Sequence, residues 1–233
     1  MDAVLEDWRT ADIPERTRAG LSLLECMTKH PQDLGADFIA TIKEAGLDDE
    51  AIREAANIGF HYNLINRVAD AFNYPVPKGK QTERLAALLN SAGKRIKGSP
   101  SNQIWVRGKD DRIRPPEVDI GRERIMTTSG KTASELRYGI DAFVTAQWEH
   151  HRKDVPPIPE ELHLYLTKLA LYAYRITDKD VNALREAGYQ NETIYEITLV
   201  GSFAAALVGL EQVFAALYEQ SAQQLQETAV LVS

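Results

Sequence analysis

The sequence predicts an all-α fold, and three observations lead to that prediction. Residues 42–60 and 184–202 both follow the pattern of a helix, a glycine turn and a second helix, with the same spacing. Apolar residues elsewhere recur at helical spacing. The sequence also lacks sustained alternation of apolar and polar residues between turn signals, which is the pattern typical of strands.

The two stretches align without a gap at an offset of 142 residues. The pairs they share are Glu44/Glu186, Ala45/Ala187, Gly46/Gly188, Glu50/Glu192, Ile52/Ile194, Glu54/Glu196 and Gly59/Gly201. The tripeptide Ile-Pro-Glu at 13–15 recurs at 158–160, and a tryptophan precedes each copy. We therefore expect one domain over 1–233, built from a repeat at about 8–74, a connecting segment at about 75–136 and a repeat at about 137–220.

Each repeat has the local signals that helix termini need. Pro14 and Pro159 suit a first helical turn. Gly46 and Gly188 follow Glu-Ala at a predicted helix end, where glycine adopts the left-handed conformation at little cost. Asp49 and Asn191 then fall where an N-cap is expected.

The connecting segment differs in composition from both repeats. Residues 80–98 predict a helix with leucines at helical spacing, and residues 99–119 predict a loop rich in Pro, Gly and polar residues. Seven basic residues between 94 and 114 form a local positive zone. This zone is interpreted either as a solvated linker or as an anion or partner contact that involves Trp105.

Bulk properties exclude several classes of protein. The net charge of -7 and pI of about 5.3 argue against a nucleic-acid binder, which needs a basic face. The longest apolar stretch, 197–210, is too short to span a bilayer and predicts a buried helix. Cys26 is the only cysteine, so an intramolecular disulfide is impossible. We expect a cytoplasmic protein without a signal peptide and without a membrane or nucleic-acid partner.

The predicted helix from Asp49 to Phe72 is of core type, yet it carries a polar stripe. Asn63, Asn66, Arg67 and Asp70 are spaced i, i+3, i+4, i+7, which places them on one face. The corresponding residues of the second copy are Ala205, Val208, Gly209 and Gln212. The helical unit therefore does not itself require the stripe.

Two interpretations of the stripe remain open. In the structural one, Arg67 pairs with Asp70, and the asparagines satisfy backbone groups at a repeat or subunit interface. In the functional one, the stripe lines a pocket, and Arg67 binds an anionic or carbonyl-bearing ligand. His61 could move a proton near neutral pH, although an ideal helix points it away from the stripe.

Residues 5–75 resemble the alkylhydroperoxidase D-like and carboxymuconolactone decarboxylase superfamily, and most closely its peroxidase-related members. Asn63, Asn66, Arg67, Ala69 and Asp70 match the FNxxNRxAD signature of those members, whereas His61 and Tyr62 depart from it. Residues 137–218 carry the scaffold without the signature. The resemblance implies an all-helical fold and a homo-oligomer, and peroxidase members use a CxxCxxxH helix.

This chain lacks a CxxC pair, so no second thiol can resolve a sulfenic acid within it. Cys26 and His30 retain the i, i+4 spacing of the motif's second half, and the histidine could lower the pKa of the thiol. Pro31 disfavours a helical His30, which leaves a core or interface cysteine as the alternative.

The sequence thus predicts a divergent member of the superfamily without two-cysteine peroxidase activity. If it is an enzyme, the resemblance implies peroxidase-related or decarboxylase-like chemistry. The expected catalytic residues are His61, Arg67, Asp70 and Cys26, and the expected ligand-binding residues are Asn63 and Asn66. The alternative is a non-catalytic binding or assembly protein that uses the stripe for subunit packing.

No cofactor is expected, because the sequence has no glycine-rich loop of the phosphate-binding type. No metal is expected, because the adjacent His150 and His151 lie on different faces of a helix. The expected partners are a second copy of the chain and a possible small-molecule ligand. Two helices that are apolar nearly all round need more cover than one chain supplies. We therefore expect a homodimer or a higher oligomer, with 197–217 or the 60–72 helix near the contact.

Overall fold

A computed structural model describes residues 2–74, 84, 87, 116–148 and 155–232, with the backbone alone for 2, 116, 117 and 224–232. All regular structure in these ranges is helical, so the all-α prediction is confirmed. The helices described are α1 (Asp2–Asp7), α2 (Glu15–Lys29), α3 (Ala36–Glu44), α4 (Asp49–Ala71), α5 (Pro116–Thr127), α6 (Ser134–Ala146), α7 (His163–Leu171), α8 (Asp178–Glu186) and α9 (Asn191–Val232). Short 3-10 turns lie at Pro31–Asp33, Glu160–Leu162 and Ala173–Arg175.

The glycine turns between α3 and α4 and between α8 and α9 are as predicted. Gly46 and Gly188 both have a φ of 97°, a conformation that residues with a Cβ rarely adopt. The amide of Leu47 donates to the carbonyl of Ile42, and the amide of Tyr189 donates to the carbonyl of Leu184. These bonds satisfy carbonyls that the helix ends leave without a partner.

The predicted N-caps are wrong by one residue. Asp48, not Asp49, caps α4, because Asp48 has extended backbone angles and its side chain accepts from the Ala51 amide at 2.8 Å. Asp49 is the first helical residue, and its carboxylate lies 2.6 Å from the Lys43 ammonium. Asn191 is likewise the first residue of α9, and its side-chain oxygen accepts from Arg185 Nε at 2.9 Å.

The bounds of several elements recur at the sequence offset of 142. Helices α3 and α8 are nine residues long and begin 142 residues apart, as do α4 and α9. The 3-10 turns at 31–33 and 173–175 have the same spacing. A duplication would produce this agreement, and the duplication itself stays a prediction that superposition of the two units would test.

Helices α4 and α9 cross in antiparallel fashion through the middle of the chain. Arg53 and Phe60 of α4 contact Phe214 and Phe203 of α9, and Phe72, which caps the end of α4, stacks on Tyr195 of α9. The first core cluster combines α2, α3 and α4 with the part of α9 between Phe203 and Leu217. The second combines α6, α7 and α8 with the earlier part of α9 and with Ala71 of α4. Each long helix therefore packs against both units.

The apolar middle of helix α9 is covered by the rest of the chain. Residues 197–210 are buried except Leu199, which is partly buried. The premise that one chain cannot cover this helix is therefore wrong, and 197–217 is not a free surface for a partner. The segment Asn191–Gln223 is long and apolar enough to cross a membrane, but 83% of its apolar window is buried within the fold, as in the core helix of a soluble protein.

The connecting segment contains a packed helix near its end. The predicted loop over 99–119 ends too late, because α5 begins at Pro116 and Val118 is buried in the first core. Proline suits this position, since the first helical residue has no intrahelical use for its amide. Of the predicted 80–98 helix, Arg84 and Ala87 are described, and both are helical and exposed. The basic residues from 94 to 114, with Trp105, lie outside the described residues, as do His150 and His151.

Candidate functional site

The predicted stripe on α4 divides into a buried pair and an exposed pair. Asn63 and Arg67 are each only 8% exposed, whereas Asn66 and Asp70 are exposed to solvent. Among the described residues, no carboxylate lies within ion-pair distance of Arg67, so the predicted contact with Asp70 is wrong. Residues spaced i and i+3 sit about 60° apart on a helix, and the edge of the buried face runs between them.

The Arg67 guanidinium is used by the chain itself. It donates to the Asn63 carbonyl at 3.1 Å, to the Asn63 side-chain oxygen at 3.2 Å and to the Ala170 carbonyl at 3.3 Å. Ala170 lies in the last turn of α7, where carbonyls lack intrahelical partners and where the helix dipole favours a positive charge. Arg67 therefore ties α4 of the first unit to the end of α7 in the second.

Asn63 continues this network into the first unit. Its side-chain amide donates to the Thr28 hydroxyl at 3.1 Å, and that hydroxyl donates to the Leu24 carbonyl at 2.7 Å. Arg67 Nε is buried and has no hydrogen-bond partner among the described residues. The Asn63–Arg67 pair thus joins α2, α4 and α7, with one guanidinium N–H still unsatisfied.

Burial and a single nearby charge set the electrostatics of the stripe. Burial lowers the pKa of Arg67 to about 10, and the charge of Asp70 acts against that change. Partial burial raises the pKa of Asp70, while the charge of Arg67 acts to lower it. Arg67 stays protonated at neutral pH, so a buried charge is held by neutral oxygens, with an exposed carboxylate beyond hydrogen-bonding distance.

His61 lies on the exposed side of α4, apart from the buried pair. Its Nδ1 is 2.8 Å from the Asn57 carbonyl, and its ring makes an edge contact with Phe60 at 5.2 Å. The structure therefore does not bring His61 together with Arg67. The neighbours of His61 on the surface are apolar: Ile58, Tyr62 and Ile65 are 55%, 64% and 60% exposed.

Cys26 is a half-buried residue of α2 that packs against the first core. Its thiol lies 3.4 Å from the His30 carbonyl, so the contact with His30 runs through the backbone. Burial and the nearby charges of Asp33 and Glu25 raise the pKa of the thiol. The expectation that a histidine lowers this pKa is therefore wrong, because His30 caps the end of α2 with non-helical backbone angles.

The second unit has no space for a copy of Arg67. A Cβ built on Gly209 would lie 2.4 Å from the Met27 carbonyl oxygen, so α9 passes the end of α2 in backbone contact. Helix α4 passes the end of α7 at a greater distance, and the Arg67 side chain fills that space. This difference explains why only one copy carries the polar pair.

A second buried network was not predicted from the sequence. The Glu196 carboxylate accepts from the amides of Lys131 and Thr132 at 2.8 and 2.7 Å, from the Thr132 hydroxyl at 2.7 Å and from Arg137 at 3.2 Å. Arg137 is 4% exposed and also donates to the carbonyls of Ile125 and Thr128. The network fixes the turn between α5 and α6 against α9. Glu196 matches Glu54 of the first repeat, and that match drew attention to the position. Glu54 is exposed, however, so the two glutamates do not have the same structural role.

A surface depression in the structure lies apart from the polar stripe of α4. A depression of about 590 Å³ is lined by Lys43 and by residues 46–50, at the turn between α3 and α4. In the described ranges, no group of three His, Cys, Asp or Glu residues is placed to hold a metal ion. Comparison with protein-family models, with curated proteins and with solved structures finds no match to this chain, so the family resemblance stays an expectation.

Proposed function

We propose that this protein is a non-catalytic, self-associating assembly protein, divergent from the alkylhydroperoxidase D-like proteins that it resembles. One observation carries the proposal: on α4 the charged Arg67 is buried, whereas the apolar residues Ile58, Tyr62 and Ile65 face solvent. Arg67 is tied to carbonyls of its own chain, while Ile58, Tyr62 and Ile65 are more than half exposed. Such an arrangement serves packing at a subunit contact better than ligand capture.

The environment of Cys26 supports the absence of peroxidase chemistry. The thiolate is the attacking species in that reaction, and burial with two nearby carboxylates disfavours it. We expect no turnover of an organic hydroperoxide with dithiothreitol as reductant, and no difference between the native protein and Cys26→Ser. Turnover that disappears in Cys26→Ser would refute the non-catalytic assignment.

Self-association is tested by light scattering across a range of micromolar concentrations. The chain has a mass of 26.1 kDa, and we expect a measured mass of twice that value or a higher multiple. A mass of 26.1 kDa that does not change on concentration would refute the assembly role. The result would also leave the exposed apolar residues of α4 without the function proposed for them.

A second candidate function rests on the unsatisfied Nε of Arg67. A buried guanidinium without a carboxylate partner could accept a small carboxylate or carbonyl compound in place of the missing acceptor. A thermal-shift series with acetate, benzoate and succinate tests this candidate. It predicts stabilisation of the native protein that is absent in Arg67→Lys, since lysine lacks the planar fork.

A further inference from the structure

Arg175 is an exposed arginine that contacts two tyrosine rings, at the 3-10 turn between α7 and α8. Its guanidinium carbon lies 5.1 Å from the ring centre of Tyr172 and 5.5 Å from that of Tyr174. The two tyrosines are 44% and 69% exposed. Among the described residues, neither the guanidinium nor the two hydroxyls have a hydrogen-bond or ion-pair partner. The three side chains, here called the Tyr–Arg–Tyr cluster, therefore present unused donors to solvent.

The backbone beneath the cluster is fixed by the fold. Ala173 and Ile176 are buried, and the amide of Arg175 donates to the Tyr172 carbonyl at 2.7 Å. The turn also packs against α4. Contacts with the two rings further restrict the arginine side chain. A ligand of the cluster would therefore lose little of its binding free energy to ordering of the protein.

The conformation of the turn does not require these side chains. The 3-10 turn Pro31–Asp33 begins 142 residues earlier and follows a residue of almost the same conformation. His30 has a φ of -140° and a ψ of 52°, and Tyr172 has a φ of -147° and a ψ of 47°. The counterparts of the cluster there are His30, Gln32 and Asp33. The same turn is thus built without a tyrosine and with an acid in place of the arginine.

An unpaired guanidinium beside two hydroxyls has the donors that an oxyanion needs. The planar fork of arginine binds two oxygens of a phosphate at once. Each tyrosine hydroxyl can donate a further hydrogen bond. Asp178, the nearest acidic residue in sequence, does not lie within ion-pair distance of Arg175. Within the described part of the chain, no carboxylate therefore competes for the guanidinium.

A phosphate monoester fits the cluster better than a carboxylate or free phosphate does. It presents three terminal oxygens to the donors of three side chains, whereas a carboxylate presents two. The apolar body of an ester can also contact the exposed surface of the tyrosine rings. The net charge of -7 opposes anion binding, but charges farther than about 8 Å are largely screened at physiological ionic strength.

We propose that Tyr172, Tyr174 and Arg175 form a surface site for a phosphate monoester with an aromatic body. The guanidinium binds the phosphate, and the tyrosine rings contact the aromatic body. This site does not depend on the assembly role proposed above, because it lies on the turn between α7 and α8 and needs no second copy of the chain.

The experiment is an NMR titration of the ¹⁵N-labelled native protein with phenyl phosphate, inorganic phosphate and benzyl alcohol. Phenyl phosphate should produce saturable shifts in the amide signals of residues 172–176 and in the Nε–Hε signal of Arg175. Inorganic phosphate should bind more weakly, because it has no aromatic body. Benzyl alcohol should cause no saturable shift, because it has no phosphate.

Variants assign the binding to the cluster. Arg175→Gln should weaken phenyl phosphate binding at least about tenfold, because it removes charge-assisted hydrogen bonds. Arg175→Lys should weaken it as well, since lysine keeps the charge but lacks the fork. The matched control is Arg124→Gln, because Arg124 is an exposed arginine of α5 without an aromatic contact among the described residues. Circular dichroism verifies that each variant is folded.

Three results would overturn the proposal. Unchanged affinity in Arg175→Gln would show that the phosphate binds elsewhere. An equal loss in Arg124→Gln would show that binding follows net charge rather than the cluster. Equal affinity of the native protein for phenyl and inorganic phosphate would show that the rings do not contact the body of an ester, and that free phosphate accounts for the binding.

Discussion

Arg67 shows how one residue can connect two units of a chain through hydrogen bonds to neutral oxygens. Its charge is buried, and it is held by Asn63 and by the open end of α7. A buried charge costs several kcal/mol unless hydrogen bonds compensate it. The three carbonyl-type acceptors provide that compensation, and removal of the side chain would leave these oxygens and a cavity behind.

At this scale we predict that Arg67→Ala lowers the free energy of unfolding by about 2–4 kcal/mol. Arg67→Met should cost less, because it retains packing volume and removes the desolvated charge. The comparison is Arg53→Ala, an exposed residue of the same helix, for which about 0.5–1 kcal/mol is expected from loss of its contact with the Phe214 ring. Urea unfolding provides the measurement. Equal losses of unfolding free energy at the two arginines would show that the hydrogen bonds of Arg67 to α7 do not stabilise the fold.

At the scale of elements, the glycine turns show how one backbone conformation fixes the junction between two helices. Gly46 and Gly188 end their helices with the same φ, and a Cβ at either would meet no atom within 4 Å. Glycine is therefore required there by backbone conformation and not by lack of space. The turn sets the direction in which α4 or α9 leaves the preceding helix.

We predict that Gly46→Ala destabilises the protein by about 1–2 kcal/mol, because alanine is strained at positive φ. Gly20→Ala is the matched control, since Gly20 lies inside α2 and its Cβ would make an ordinary contact at 3.9 Å. That variant should gain about 0.5–1 kcal/mol from higher helix propensity. Thermal unfolding of both variants measures the difference in sign. A stabilising Gly46→Ala would contradict the requirement for a left-handed residue.

At the scale of the whole molecule, the long helices determine which units can exist separately. Helix α9 supplies the first core with residues from Phe203 to Leu217, and α4 supplies the second core with Ala71. Glu196 adds a polar attachment between α9 and the turn that precedes α6. Contacts between distant parts of the chain therefore hold the fold together.

The Glu196 attachment predicts an acid-dependent loss of stability. Burial acts to raise the pKa of Glu196, but hydrogen bonds from Lys131 and Thr132 and the charge of Arg137 lower it to about 2. A depressed pKa stabilises the fold above the usual value near 4.5, and this stabilisation is lost as the pH falls from there through 2. The unfolding free energy of Glu196→Gln should therefore fall less between pH 6 and pH 2.5 than that of the native protein.

Glu192→Gln is the control for that experiment, because Glu192 is an exposed residue in the first turn of the same helix. Its unfolding free energy should follow pH as the native protein's does. If Glu196→Gln retains the full native pH dependence, the carboxylate does not contribute as described. At neutral pH the unfolding free energy of Glu196→Gln is expected to be about 1–3 kcal/mol lower than that of the native protein.

Local patterns in the sequence predicted the all-α class, the glycine turns and the extent of α4, but they placed the start of α5 in a loop. They could not predict the division of the polar stripe, because the boundary of the buried face depends on how closely α7 approaches α4. Met27 against Gly209 and Ala170 beside Arg67 are contacts between distant residues that no spacing rule encodes. Arg137 with Glu196 was missed for the same reason. The burial of residues 197–210 by the rest of the chain was underestimated, because that burial depends on how α4 and α9 cross. The crossing is a contact between distant parts of the chain, which local patterns do not encode.

The crossing of α4 and α9 means that the two units are complementary fragments of one protein. If the peptide chain were cut between residues 75 and 115, the first fragment would lack the part of α9 that its core needs, and the second would expose the apolar residues of α9 that the first core covers. The fragments should stay associated after the cut and should reconstitute when they are expressed together. Expressed alone, neither should fold. The same exchange between two intact chains would produce a domain-swapped dimer.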